Sequence, residues 1–116
     1  MIQLKRAYEK PTPSDGRRIL VERLWPRGVS KARLAVDLWL KEIAPSPALR
    51  KWFGHDPARW KQFERRYWKE LEAKPEAVKE LRRQAKRGAI TLVYAARDEL
   101  HNSAVALKSF LEQPKR

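Results

Sequence analysis

Ile90-Thr91-Leu92-Val93-Tyr94-Ala95-Ala96 is a nearly unbroken apolar run, preceded by Gly88 and followed by the charged trio Arg97-Asp98-Glu99. A strand with one wet face alternates polar and apolar residues, whereas a run without alternation fits a strand covered on both faces, as in parallel sheets. The run is therefore predicted to be a central strand. Upstream, Ile2, Leu4 and Arg6 alternate with Gln3 and Lys5 and predict a short first strand. The prolines and the Asp-Gly pair of Pro11-Thr12-Pro13-Ser14-Asp15-Gly16 then force a turn. Ile19 to Trp25 reads as a second strand, stopped by Pro26 and Gly28.

Helical spacing fills the intervals. Leu34, Leu38 and Lys41 place a helix in the segment 30–41, and Ser46 before Pro47 reads as an N-cap opening a short helix through Leu49, Trp52 and Phe53. Asp56-Pro57 starts another, in which Trp60, Phe63, Tyr67 and Leu71 form an apolar stripe that reads as core rather than as a base-stacking platform. The next begins near Pro75, buries Val78, Leu81 and Ala85, and ends at Lys86-Arg87-Gly88, with cations at the negative end of the helix dipole. A last helix runs through Ala104, Leu107 and Leu111 and stops before Pro114. Strands separated by helical segments predict an α/β fold: a small, mainly parallel β-sheet flanked by α-helices, as one domain over residues 1–116.

Composition narrows the function classes. Of the 116 residues 42% are hydrophobic and 35% charged, and five Trp argue against disorder. With no Cys there is no disulfide, thiolate zinc site or cysteine nucleophile, and two His are poor provision for a metal. The longest apolar run falls short of the roughly 20 residues a membrane span needs, and Met1 to Arg6 lacks the apolar core of a signal peptide, so a cytoplasmic protein without a membrane partner is expected. The net charge of +13 points to anionic partners. It is concentrated: residues 1–33 hold nine Lys or Arg against three acids, and residues 57–87 hold eleven against five. A solvated, thermophile-like surface would give the same balance. Nothing in the sequence sets an oligomeric state.

The stretch Asp15 to Gly28 carries the first chemical signal, because Glu22-Arg23 interrupts an apolar run between Val21 and Leu24. Unpaired charges are too costly to bury, so these two must be paired or must face a polar site. The pairing expected for Glu22 is Arg97 or Arg17. Ligands of open α/β sheets collect beyond the carboxyl ends of strands, and two predicted strands end in charge. If they are neighbours, Arg23, Arg27 and Arg97 converge on one cleft as anion donors, helped by the N-terminus of the last helix. Asp98 and His101 are then the candidates for proton transfer, and Glu22, Trp25, His55 and Asn102 complete the expected ligand site. The competing reading is structural: Asp98 caps the last helix, Arg97 pairs with Glu22, and His101 and Asn102 satisfy local hydrogen bonds.

Three separated motifs carry a family resemblance. Asp15-Gly16-Arg17 with Leu24-Trp25-Pro26-Arg27-Gly28, Ala44-Pro45-Ser46 with Leu49-Arg50-Lys51-Trp52-Phe53-Gly54-His55-Asp56-Pro57, and Thr91 to Asp98 with His101-Asn102 and Ala104 resemble the YeaO-like branch of the domain-of-unknown-function family 488. The resemblance implies a small cytosolic bacterial or archaeal α/β protein and implies no activity. It places Asp more usually at position 22, where Glu22 keeps the charge and extends its reach. Other branches place a cysteine near the third motif, and a mechanism built on it does not carry over to this chain.

The leading expectation is a basic cleft binding a small phosphate- or nucleotide-like anion, as an enzyme or as a binding protein. No P-loop, dinucleotide fingerprint or metal motif is present, so no cofactor is expected. The alternative is a nucleic-acid-binding module without sequence preference, using the basic faces of helices 57–73 and 75–87.

Overall fold

The computed structural model describes residues 1–113. In chain order it contains β1 (Ile2–Arg6), β2 (Arg17–Leu20), α1 (Lys31–Leu34), β3 (Leu38–Trp39), α2 (Pro47–Phe53), α3 (Trp60–Glu72), α4 (Pro75–Arg87), β4 (Ile90–Tyr94) and α5 (Ser103–Leu111). All four strands are parallel and lie in the order β1-β4-β2-β3. β4 is thus central, as its unalternating sequence predicts, and every one of its residues is buried. The expected stop of the last helix before Pro114 involves a residue outside those described, although α5 itself ends at Leu111.

The two faces of the sheet are covered unequally. Helices α2 to α5 all pack on one face, where Ile19, Val21, Leu92 and Tyr94 meet Phe53, Phe63, Tyr67, Leu81 and Leu107. The other face carries a smaller cluster of Ala7, Leu20, Val29, Leu34 and Val93, flanked by Trp25 and Trp39. Beside it the segment joining β1 to β2 crosses β4 with only a 3-10 turn, Pro13–Asp15, and buried charge holds it down. Asp15 accepts hydrogen bonds from Lys5 Nζ (2.8 Å), the Thr12 hydroxyl (2.8 Å) and amide (3.0 Å), and Arg18 (2.8 Å), while its own carbonyl accepts from the Thr91 hydroxyl (2.7 Å). Burial alone would raise the Asp15 carboxyl, but these donors outweigh it and hold the group well below the usual carboxylate range. Arg18 is completed by two bonds to the Leu34 carbonyl, at 3.0 and 2.8 Å.

Three sequence expectations are corrected. The second strand does not run from Ile19 to Trp25: it spans Arg17–Leu20, with one further ladder bond from the Val21 amide to the Val93 carbonyl (3.2 Å). Glu22-Arg23 therefore lies just past the strand end rather than within the strand. The segment 30–41 is not one helix either. Ser30 caps a single turn that Ala35 ends in a left-handed conformation (φ 50°), and Leu38–Trp39 becomes the edge strand β3. Asp56 does cap, through the Ala58 amide (3.0 Å), but what it opens is a 3-10 turn, Pro57–Arg59, that leads into α3.

Candidate functional site

Because β2 and β4 are parallel neighbours, their carboxyl ends lie side by side. Beyond the Val21–Val93 bond the two chains separate, and a cleft of ≈ 570 Å³ opens between them. Glu22, Arg23 and Leu24 form one wall, Ala95 and Ala96 with Asn102 and Ser103 of the α5 N-terminus another, and Pro45, Pro47, Arg50, Lys51, Phe53 and His55 the side built by α2 and its flanks. Phe63 of α3 reaches in beneath, stacked on Phe53 at 4.3 Å.

The Ile43–Ser46 loop beside this cleft is strapped almost atom by atom. Three successive carbonyls each take a donor from a different element: Ile43 from the Tyr67 hydroxyl (2.6 Å), Ala44 from Lys74 Nζ (3.0 Å) and Pro45 from the Arg23 guanidinium (3.4 Å). The Ser46 amide and hydroxyl both donate to Glu70, at 2.8 and 2.6 Å, and the same hydroxyl caps α2 by accepting from the Leu49 amide. Burial, reinforced by the Glu22 and Glu70 carboxylates, pushes the Tyr67 phenol far above its ordinary range, so it stays a donor. Burial lowers Lys74; nearby Glu70 opposes that shift and Arg23 adds to it.

Glu22 and Arg23 enter the cleft differently. One Glu22 carboxylate oxygen accepts the Ala95 amide (3.1 Å), joining the two strand ends, and the other lies 3.9 Å from Arg50. Glu22 thus faces Arg50 and not Arg97 or Arg17, which corrects the expected pairing; Arg17 sits at the opposite end of β2. Arg23 spends one terminal nitrogen on Pro45, while its Nε is buried with no hydrogen-bond partner among the described residues. Buried guanidinium donors are rarely left unmatched, and an unmatched one costs about 1–3 kcal/mol. With Arg23, Arg50 and Lys51 against Glu22, the cleft is electropositive.

Of the residues singled out from sequence, Glu22, Arg23, His55 and Asn102 line this cleft. Asn102 is buried; its Oδ1 caps α5 by accepting from the Val105 amide (2.9 Å) and its Nδ2 donates to the Asp98 carbonyl (2.9 Å). Asn102, not Asp98, is therefore the α5 cap. His55 is exposed, in a left-handed conformation (φ 57°), with its ring tilted against Phe53. Trp25 turns to the other face of the sheet, where its Nε1 donates to the Val29 carbonyl (2.5 Å) and its ring meets Trp39 edge-on. Arg27 and Arg97 are exposed and lie outside the cleft wall. Asp98 and His101 pair with each other (2.9 Å) on the loop into α5, also outside the wall, and the His101 ring stands edge-on to Trp60. The Leu100 amide, followed by the His101 ring, holds the Asp98 carboxyl below its ordinary value. Arg50 and Lys51 are the cations that sequence reasoning missed; the available signal was a basic pair on a short helix opened by the Ala44-Pro45-Ser46 break.

Among the described residues no group of three or more His, Asp or Glu is placed to hold a metal, and no helix is long and apolar enough to cross a membrane. Over residues 1–116 the chain matches a family described as the inactive DUF488-N3 subclade. It is 44% identical over 110 residues to the uncharacterized protein YeaO of Escherichia coli (strain K12), an overlap covering 95% of this chain and 96% of that one. Over 110 residues it is 39% identical to an uncharacterized protein of Mycobacterium tuberculosis (strain CDC 1551 / Oshkosh), covering 95% and 92% of the two chains. No solved structure matches it. A family match over the whole chain and a relative this similar over nearly all of both lengths lead to one assignment: the chain belongs to the YeaO-like branch of the DUF488 family, in the subclade described as inactive.

Proposed function

We propose that the cleft at the carboxyl ends of β2 and β4 binds a small anionic ligand, phosphate- or nucleotide-like, and that the protein acts by binding rather than by catalysis. The observation that carries this reading is the cationic lining of the cleft, in which Arg23, Arg50 and Lys51 stand against one carboxylate, Glu22. Arg50 and Lys51 add positive charge, the N-terminus of α5 adds its dipole at Asn102 and Ser103, and the volume of ≈ 570 Å³ falls within the range of small-molecule sites. The reading as a binder rests on the family's description as inactive and on the position of the Asp98–His101 pair outside the wall.

The nucleic-acid reading has less support. On the basic helix faces expected to serve it, Arg66 lies over the Trp52 ring, Arg82 bonds the Phe110 carbonyl and Arg83 pairs with Glu80.

Isothermal titration with inorganic phosphate, adenosine monophosphate and glucose 6-phosphate tests the proposal. Arg50→Ala/Lys51→Ala, two exposed positions, is expected to weaken binding about tenfold or more, as losing charge-assisted hydrogen bonds does. Arg65→Ala, on the outer face of α3, is expected to leave it unchanged. No binding of any of the three anions, or equal binding by wild type and the double variant, would overturn the reading.

A further inference from the structure

We propose that the anion taken by this cleft carries hydroxyl groups on its body, as a sugar or polyol phosphate does, and that Glu22 accepts hydrogen bonds from them. The inference rests on the anion-binding reading and narrows it to a ligand class. A carboxylate in the wall of an anion site repels the ligand unless it also holds a donor of that ligand. Glu22 is the one carboxylate of this wall, set among Arg23, Arg50 and Lys51.

Glu22 is held in place from two sides. Its carbonyl accepts from the Trp39 Nε1–H (2.7 Å), its Oε2 accepts from the Ala95 amide (3.1 Å), and its side chain is only 12% exposed. The other carboxylate oxygen is spare. Oε1 lies 3.9 Å from Arg50, beyond hydrogen-bond reach, and accepts no hydrogen bond among the described residues. An ionised carboxylate offers about four acceptor positions, and one taken largely out of water is costly to leave unfilled.

The surroundings select the class of donor. Three cations against one carboxylate repel an ammonium group, whereas a neutral hydroxyl meets no such barrier. The space and the lining agree with a hydroxylated body. A phosphate has roughly the bulk of two or three waters, each about 30 Å³ in the liquid, against a cleft of ≈ 570 Å³, which leaves room for a body beside the anionic group. Half of the residues lining the cleft are charged or polar, His55 and Ser103 among them, so that body meets polar groups as well as apolar ones.

Calorimetric titration of the full chain with inorganic phosphate, propyl phosphate, glycerol 3-phosphate and aminoethyl phosphate tests the inference. Propyl phosphate and glycerol 3-phosphate share a three-carbon body and differ by two hydroxyls. Glycerol 3-phosphate is expected to bind at least tenfold tighter than propyl phosphate, as charge-assisted hydrogen bonds provide, and tighter than aminoethyl phosphate. Glu22→Gln keeps the Ala95 bond through its amide oxygen but puts an NH₂ where Oε1 stood, which turns the acceptor into a donor and removes the like charge. It is expected to cut the glycerol-to-propyl ratio about tenfold while inorganic phosphate binds as well or better, a pattern that loss of structure does not produce; urea midpoints check that the variant folds. Equal affinity for glycerol 3-phosphate and propyl phosphate overturns the inference and leaves the anion reading standing, and an unchanged ratio in Glu22→Gln refutes the role of Glu22. Tighter binding of aminoethyl phosphate refutes the hydroxyl class. Failure of all four probes to bind removes the anion reading and this inference with it.

Discussion

Gly16→Ala is the substitution whose cost the backbone sets most directly. Gly16 ends the 3-10 turn Pro13–Asp15 with φ 63° and ψ −139°, a combination that L residues avoid. A Cβ built there would stand 2.1 Å from the Ala89 carbonyl oxygen and 2.8 Å from its carbon, both backbone atoms just before central strand β4. Relief needs a shift on the order of 1 Å of the start of β2 away from β4. That shift breaks the bond from the Arg17 amide to the Ala89 carbonyl (3.1 Å), the first of the β2–β4 ladder. Backbone strain of about 1–3 kcal/mol, overpacking of about 1–3 and a lost hydrogen bond of about 1 together give a destabilisation of about 3–7 kcal/mol. With a urea slope of about 1–3 kcal/mol/M, the midpoint should fall by more than about 1 M. Trp fluorescence reads it, since the chain holds five Trp. Gly88→Ala is the control: its backbone is extended (φ 166°), nothing lies within 4 Å of the added Cβ, and its stability should stay within about 0.5 kcal/mol of wild type or rise. Equal midpoints for the two variants would refute the close-approach argument.

Further expectations concern charge and capping. Glu22→Gln keeps an acceptor for the Ala95 amide and should change urea stability by less than about 1 kcal/mol, whereas Glu22→Leu strands that amide and should cost about 1–3 kcal/mol. The larger penalty of a buried pair does not apply, because Arg50 is 41% exposed and water can solvate it. Asp15→Asn should lower stability at neutral pH by about 3–5 kcal/mol, because it leaves the buried Arg18 charge uncompensated. The folded carboxyl lies below its unfolded value near 3.8, so its contribution is present above that value and is lost as pH falls below it; urea midpoints between pH 4 and 2 should therefore decline more steeply for wild type than for Asp15→Asn. Asn102→Ala removes the α5 cap and the tie to Asp98 and should cost about 1–2 kcal/mol by urea denaturation, while Asn102→Asp should retain the cap.

What was legible in the sequence was what local chemistry dictates. The unalternating Ile90–Tyr94 run declared a strand covered on both faces, and the neighbouring strand ends that would form a cleft are neighbours in the sheet. Caps at Ser46 and Asp56 were readable because a side-chain oxygen before a proline has few other uses. What failed was decided by long-range contacts. Leu24 and Trp25 extended the apparent strand beyond Leu20, but one faces solvent and the other crosses to the opposite face of the sheet to meet Trp39. Leu34 and Leu38 mimic helical spacing, while Ala35 breaks the helix and the β2 edge recruits Leu38–Trp39 as a two-residue strand. Glu22 was rightly read as a charge needing a partner, yet the choice of Arg50 over Arg97 depends on where α2 packs, and no spacing rule encodes that.

The Arg23 side chain offers the most direct test of the anion site, because its guanidinium lines the cleft and its Nε–H has no acceptor among the described residues. An NMR titration following the arginine Nε–H resonances should be run with inorganic phosphate and glycerol 3-phosphate, the Arg23 signal being assigned by its loss in Arg23→Lys. The expected result is a saturable downfield shift and slowed solvent exchange of the Arg23 Nε–H, with exposed arginines such as Arg65 unmoved. An Arg23 resonance that stays in place while either anion is raised to saturation of the exposed arginines would contradict the site.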